Sequence, residues 1–490
     1  VKEARVLAAT GALVATSYGA AFSGLRLDDA FITLRYGENI TRGRGFVFNE
    51  GERLLGTTSP GHALLAAALH ALVGHERLPA AMSGLGAAAW VAQACLVFAL
   101  LRPALGGLIA SVVALGIAAG AARSYLFVPL ETNLLAALVL GALVLAVRER
   151  WIPAGLLLGM AVVVRADAVL AGLPFVALAV SRLRRRAAWP LAVFATLPAG
   201  WGSFALVYFG TVFPHTLRAK ANATPALAYA AHLAKLPAAI LPLGSGGDSL
   251  GAGMALWLLA ALGLALAVSR DRRLAALPAW GALHAGAYLV LRPDVAFEWH
   301  VYPVALVAAV GALVAVAWAI AKLPRLGAVA ASMVLLGPAG WNTITFWRES
   351  PSLYWYGARD SMDREVAAFL RARGEPGDFV DAEEVGTLAY YSDLPMIDHA
   401  GLVTPFALAN LPARAQATGD DVEASHCRAL SRLPRLRFVV MNRFELEGHR
   451  CLAEGAPLAH FEHPAIHDFE RPRLLGRWEI WVADRRAPAP

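Results

Sequence analysis

Two adjacent carboxylates, Asp28 and Asp29, head the stretch "LDDAFITLRYGENITRGRGFVFNEGERLLGTTSPG", which runs from Leu27 to Gly61 between two apolar segments. Such a pair has two uses. Carboxylates are favourable at a helix N-terminus, and a positioned carboxylate can take the proton of a weak hydroxyl nucleophile as a new bond forms. Asp28 is the candidate base, and Asp29 a second catalytic carboxylate or a ligand for a divalent cation. Arg218 and Lys220, two apart in "YFGTVFPHTLRAK", suit a phosphate group, although anchoring on lipid headgroups also uses such cations. Arg165 and Asp167 interrupt the apolar run "VVVRADAVL". They either neutralise each other or serve a ligand, Arg165 on the phosphate and Asp167 on the substrate. Glu131, His215, His300 and Asp398 complete the candidate substrate-binding residues. Each has a plainer use: Glu131 as a helix cap, the histidines as polar interior residues, Asp398 at a strand end and turn.

The elements that position these residues follow from composition. Of 490 residues 58% are hydrophobic and 16% charged, and the mean hydropathy is +0.54, which marks a polytopic α-helical membrane protein. Apolar segments cover approximately 4–24, 60–74, 79–101, 104–122, 132–147, 152–181, 188–210, 250–269, 274–291, 301–321 and 325–345. About 11 crossings of a hydrocarbon core of about 30 Å are expected, with 60–74 short for a crossing. The first run reads as an uncleaved membrane helix. The clusters "RER", "RLRRR", "RDRR" and "KLPR" mark the cytoplasmic side, leaving 25–60, 211–249, 292–300 and the C-terminal tail outside. Segment 152–181 begins and ends beside such clusters, so it crosses twice or turns back at Arg165 and Asp167. The net charge of +7 belongs to those loops, and no basic groove with interleaved aromatics suggests nucleic acid.

Within the first loop, Ile32, Tyr36 and Ile40 recur at helical spacing, so 29–40 reads as a helix along the membrane surface. A tight turn follows around Asn49 to Gly51, and Ser59-Pro60 opens the next helix. From residue 348 charged residues become frequent. "MDREVAAFLRARG" reads as a helix and "DFVDAE", "RFVVMN" and "WEIWVA" as strands of a soluble α/β domain over 348–490, after a membrane domain over 1–347. Cys427 and Cys451 share that domain and could pair if it faces an oxidising compartment.

The opening stretch resembles the first external loop of the membrane glycosyltransferases of the C superfamily (GT-C), nearest the branch with the mycobacterial terminal arabinofuranosyltransferase and its DD(A)-helix-GxGxVFNxGExxxxxTSP pattern. "VPLETNL" resembles the GLET element, "GLLLGMAVVVRADAVL" the GLLLGLAxLTRPD element, and "YFGTVFPHTLRAK" the YYGxxxPNTxxAK loop. "EVGTLAYYSDLPMIDHAGL" is similar to the DxGxxxYYS…viDxxGL signature. The sequence departs from the pattern at His215, where Asn is usual, at Ala166, where Pro is usual, and over "RPDVAFEWHVYP". The resemblance implies transfer of a sugar, arabinofuranose for this branch, from a polyprenyl-phosphate donor to an extracytoplasmic glycan or protein acceptor, at a bacterial cytoplasmic membrane. A divalent cation, Mg or Mn, would assist the leaving phosphate. The alternatives are a protein O-mannosyltransferase-like enzyme of the same superfamily and a transporter or flippase of lipid-linked sugars, which also needs intramembrane Arg and Asp.

Overall fold

A computed structural model of the chain describes residues 27–119, 129–240, 250–294, 298–324, 355–398, 402–404, 430, 433, 435–442, 458–465 and 476–486. The expected crossings 4–24 and 325–345, together with Cys427 and Cys451, lie outside them. In chain order the helices are α1 (Asp28–Thr41), α2 (Pro60–Val73), α3 (Leu78–Leu105), α4 (Gly107–Ala118), α5 (Thr132–Val147), α6 (Trp151–Val164), α7 (Val169–Leu183), α8 (Ala188–Phe209), α9 (His215–Lys220) and α10 (Ala226–Ile240). Then come α11 (Leu250–Arg270), α12 (Ala276–Leu291), α13 (Tyr302–Ile320), α14 (Trp355–Arg373), β1 (Phe379–Ala382), α15 (Val385–Ser392), β2 (Met396–Asp398), β3 (Leu436–Asn442), β4 (Leu458–Ala465) and β5 (Gly476–Asp484).

The chain divides into two compact units: Val1–Ala21, Met82–Ser203 and Asn222–Arg348 form the first, and Phe22–Ala81, Phe204–Ala221 and Glu349–Pro490 the second. Among the described residues, five helical runs are long and apolar enough to cross a membrane: Leu78–Leu105, Ala166–Phe209, Leu250–Arg270, Arg272–Leu291 and Tyr302–Ile320. Of the expected segments, 60–74, 104–122 and 132–147 hold the shorter apolar helices α2, α4 and α5, and 152–181 holds the shorter α6 followed by the start of the Ala166–Phe209 run. In the first unit α13 is the central helix, buried along nearly its whole length and packed on α4, α11 and α12. Gly263 of α11 and Gly311 of α13 allow the close crossing: a Cβ on Gly263 would run into the Gly311 carbonyl, and one on Gly311 into that of Ala260. Without a hydrophobic drive between helices in lipid, such small residues let backbones gain dispersion contacts. Segment 152–181 breaks as expected, since Arg165 is extended between α6 and a 3-10 turn at Ala166–Ala168.

In the second unit the five-stranded sheet has the order β2-β1-β3-β5-β4. β1 runs parallel to β2 and β3, whereas β5 is antiparallel to β3 and β4. The strands expected from "DFVDAE", "RFVVMN" and "WEIWVA" are β1, β3 and β5. Two more line the edges. β2 has three residues, too few for a period to show, and β4 carries Pro464, tolerated because an edge strand can spare an N–H.

Helix α1 forms where its spacing places it, but it has no exposed face over Ala30 to Asn39, which are all buried. It is packed by α2 on one side and α15 on another, with Phe31 against Tyr390 and Tyr391. The Tyr36 hydroxyl donates to Leu54 O (2.8 Å) and accepts from the Gly56 amide (3.0 Å), holding the loop after the helix. The Asn49 side chain pairs with both N–H and C=O of Met396, at 3.0 and 2.9 Å, tying the turn to β2. α2 reaches α1 through Gly37, where a Cβ would lie 2.7 Å from Ala66 Cβ and 2.8 Å from Ala67 N. Gly37→Ala should therefore lower stability by about 1–3 kcal/mol through overpacking. Gly84→Ala in α3, where a Cβ meets nothing within 4 Å, should be neutral or stabilising. Thermal unfolding of the two variants in one detergent checks the contrast.

Candidate functional site

Both acidic residues occupy the first turn of α1, yet they face different partners. The Asp28 carboxylate accepts from the Gly386 amide at Oδ2 (2.9 Å) and from the Thr387 amide at Oδ1 (2.6 Å). These amides belong to the first turn of α15, so one carboxylate serves two helix N-termini. Gly386 is required there, because a Cβ would strike the Asp28 carbonyl. Asp28 keeps some exposed area, but its carboxylate is enclosed. Burial pushes its pKa up to about 6 with help from the Asp29 charge, while the two amides and Arg359 pull the other way. Nearby Asp363, buried in α14, is likewise pushed well above the ordinary range by burial, opposed by Arg359 and reinforced by Asp28.

Asp29 faces Lys220, whose Nζ lies 2.9 Å from Oδ2. Lys220 ends α9, and the loop after α1 places that helix: the His215 amide donates to Leu55 O at 2.9 Å. The ion pair closes a sequence separation of 191 residues. The side chain of Arg218 lies outside the described residues. Asp398 is buried at the end of β2, where its Oδ2 accepts the Leu402 and Val403 amides at 2.5 and 3.1 Å.

The remaining candidates gather in the first unit. Arg165 is buried, with Nη2 2.8 Å from Asp167 Oδ2 and Nη1 3.6 Å from Glu131 Oε1. The guanidinium also donates to Trp299 O (3.1 Å) and Tyr288 Oη (3.3 Å) and lies 3.3 Å from His300 Nδ1. The Tyr288 hydroxyl in turn donates to Asp167 Oδ2 at 2.8 Å, and His284 Nε2 lies 2.8 Å from His300 O. Glu131, Arg165, Asp167 and His300 thus meet as one network. The sequence reading missed Tyr288 and His284, although polar rings one turn apart on an apolar helix signal a buried polar site.

Also missed was Asp393, left-handed at φ 61° just past α15. It receives Arg42 Nη1 (2.8 Å), Arg44 Nη1 (2.8 Å) and the Arg35 guanidinium. Burial alone would push its carboxyl up, but the hydrogen bonds and charges of Arg44 and Arg35 carry it well below the usual range. Helix α15 is accordingly held at its start by Asp28 and past its end by three arginines of 35–44.

Among the described residues, the groups whose ligating atoms could share an ion are Glu38–His70–His75 and His460–Glu462–Glu479. Asp28 and Asp29 belong to neither. The former is committed to two amides and the latter to an ammonium, so this carboxylate pair does not fit a divalent cation.

A family described as a domain of unknown function (DUF8728) matches residues 351–480. No curated protein matches the chain. Among solved structures it is similar to ArnT from Cupriavidus metallidurans bound to undecaprenyl phosphate, at 14% identity and TM-score 0.59, over 98% of each chain. It is similar also to the Archaeoglobus fulgidus oligosaccharyltransferase in the apo form, at 14% identity and TM-score 0.58, over 94% of this chain and 73% of that one. A third likeness is to A. fulgidus AglB in complex with an inhibitory peptide and a dolichol-phosphate, at 14% identity and TM-score 0.53, over 92% and 70%. The fold is GT-C-like. Another structure of the A. fulgidus enzyme, at TM-score 0.55, is a complex with Zn and sulfate.

The charge on Asp393 has a definite sign in stability. A carboxyl held below its unfolded value near 3.8 stabilises the fold above that pH, and the contribution is lost as pH falls through the lower folded value. Asp393→Asn keeps a side chain that tolerates the left-handed backbone. It should lower the unfolding temperature at neutral pH and flatten its fall toward acid, measured from about pH 7 to about pH 3.

Proposed function

We propose that this chain is a membrane glycosyltransferase that moves a sugar from a polyprenyl-phosphate donor to a glycan or protein acceptor outside the cytoplasm. The observation that carries the reading is the Asp29–Lys220 pair at the start of α1, set in a fold shared with solved proteins that hold undecaprenyl phosphate and dolichol-phosphate. In the reaction an acceptor hydroxyl attacks the anomeric carbon, the bond from that carbon to the phosphate oxygen breaks, and the polyprenyl phosphate leaves. Its growing negative charge needs a fixed cation. Lys220 supplies one, and Arg218, two residues before it, is proposed as the second. The hydroxyl proton goes to a carboxylate. Asp29 takes that role here, because Asp28 already accepts two amides. A donor phosphate drawing Lys220 to itself frees Asp29 as it binds, so the base is released when there is something to attack. Asp28 is then a positioning residue that sets the start of α1 against α15. The motif resemblance supports arabinofuranose as the sugar. Protein mannosyl transfer is the alternative within the same chemistry.

Purified protein in detergent, given labelled polyprenyl-phosphate sugar and acceptor, should form product without a sealed membrane, an outcome a transporter cannot give. Asp29→Asn should lower kcat by at least about a hundredfold with the unfolding temperature unchanged. Lys220→Ala should raise the donor KM more than the acceptor KM. Asp28→Asn should lose activity together with unfolding temperature. If it loses activity alone, the base is Asp28.

Orientation is part of the proposal: the arginine cluster at 182–186 faces the cytoplasm, and the second unit, with Asp29, faces out. In a background without native cysteines, Glu50→Cys should react with a membrane-impermeant thiol reagent on spheroplasts, and Arg184→Cys only after lysis. The reverse pattern would turn the carboxylates toward cytosolic nucleotide sugars and end the polyprenyl-phosphate reading.

A further inference from the structure

Nine residues beyond Asp29, about 14 Å along the same helix axis, Glu38 is fully buried. Its Oε1 lies 2.8 Å from His75 Nδ1, 2.7 Å from Arg42 Nη2 and 3.9 Å from His70 Nε2. Its Oε2 is buried without a hydrogen-bond partner, with Arg35 Nη1 3.8 Å away. His70 lies in the last turn of α2 and His75 follows that helix, so the group joins α1 to α2.

The tautomer of His70 follows from its neighbour. Thr41 Oγ1 donates to the Glu38 carbonyl at 2.8 Å, which spends its one proton. It can then only accept from His70 Nδ1, 2.7 Å away. A neutral His70 therefore carries its proton on Nδ1 and turns a bare Nε2 lone pair toward the Glu38 carboxylate. That nitrogen lies 3.9 Å from Glu38 Oε1, and the other carboxylate oxygen, buried without a hydrogen-bond partner, is the one left to take an ion. The ligating atoms of all three side chains lie within 4.8 Å of one another.

We propose that Glu38, His70 and His75 bind one divalent transition-metal ion of the zinc class. Imidazole and carboxylate ligands suit zinc, and a water completes the tetrahedron. His75 becomes a ligand by moving its proton from Nδ1 to Nε2, a tautomer change with no net proton loss. The outer contacts of such a site are in place. Thr41 orients His70, and Arg42 bonds the ligating carboxylate. Tyr390 stacks on His75 with ring centroids 4.3 Å apart and donates to its carbonyl at 2.7 Å. The ion staples α1 to α2 and, through Tyr390, to α15, apart from the Asp29–Lys220 pair. The exposed group His460–Glu462–Glu479 has Arg477 2.9 Å from Glu462 and serves as the comparison.

The test uses the full-length protein in detergent, stripped by a chelator and titrated with Co2+, then with Zn2+. The wild type should show a visible absorption band that saturates at one equivalent and is displaced by Zn2+, and Zn2+ should raise its unfolding temperature. His70→Gln or His75→Gln should weaken Zn2+ binding by more than about 100-fold, beyond what outer-shell losses cost, and abolish the thermal shift. His460→Gln and Asp29→Asn should change neither. No saturable band in the wild type overturns the proposal, as does a band that survives in the His70→Gln, His75→Gln double variant. Should a histidine variant fail to fold, a histidine-modifying reagent applied to wild type with and without Zn2+ decides. Protection of His70 and His75 supports the site, and protection of neither overturns it.

Discussion

The second unit depends on the grip of one segment, α1 and the loop after it, on one short helix, α15. Asp28 accepts the first amides of α15, and Arg35, Arg42 and Arg44 converge on Asp393 just past its end. An eight-residue helix is too short to persist in water by its own propensity. Here its orphan N-terminal amides are satisfied by a carboxylate from another helix. The same contacts fix α1, which begins with Asp28, and so fix where the next carboxylate points.

That constraint separates two neighbours that look equivalent in sequence. In a helix, adjacent side chains project about 100° apart, so when Asp28 turns to α15, Asp29 must turn elsewhere. It turns to Lys220, delivered by α9, whose own start is held by Leu55. The loop from 51 to 57 is in turn held by Tyr36 of α1. One helix thus supplies the carboxylate and, through its own buried face, the support for the lysine opposite it. The cost is a buried, charge-dense helix whose groups each need a partner, and Arg35, Glu38 and Asn39 are all found with one.

The first unit solves a related problem with other means. A guanidinium inside an apolar helical unit is tolerated only when matched and hydrogen-bonded. Arg165 meets Asp167 and Glu131 together with a carbonyl and two rings. The helix break at Arg165 lets the turn between α6 and α7, helix α12, the segment before α5 and the segment before α13 converge. Small residues at Gly263 and Gly311 meanwhile bring α11 and α13 close enough to pack by contact alone.

By itself the sequence determined what depends on composition and local period. Among the described residues, apolar runs became apolar helices, "DFVDAE", "RFVVMN" and "WEIWVA" became strands, the carboxylate pair stood at a helix start, and Arg165 broke its run. Each rests on neighbours within a few residues, where hydrophobic spacing, Gly and Pro act directly. Only the tertiary structure decided that α1 is buried on every side, that Asp29 and not Asp28 meets Lys220, that Asp393 gathers three arginines, and that Glu38 meets two histidines. A helical period shows which residues share a face, but not what covers that face. The partners here come from residues up to 359 positions away, and only the folded chain brings them within hydrogen-bond reach.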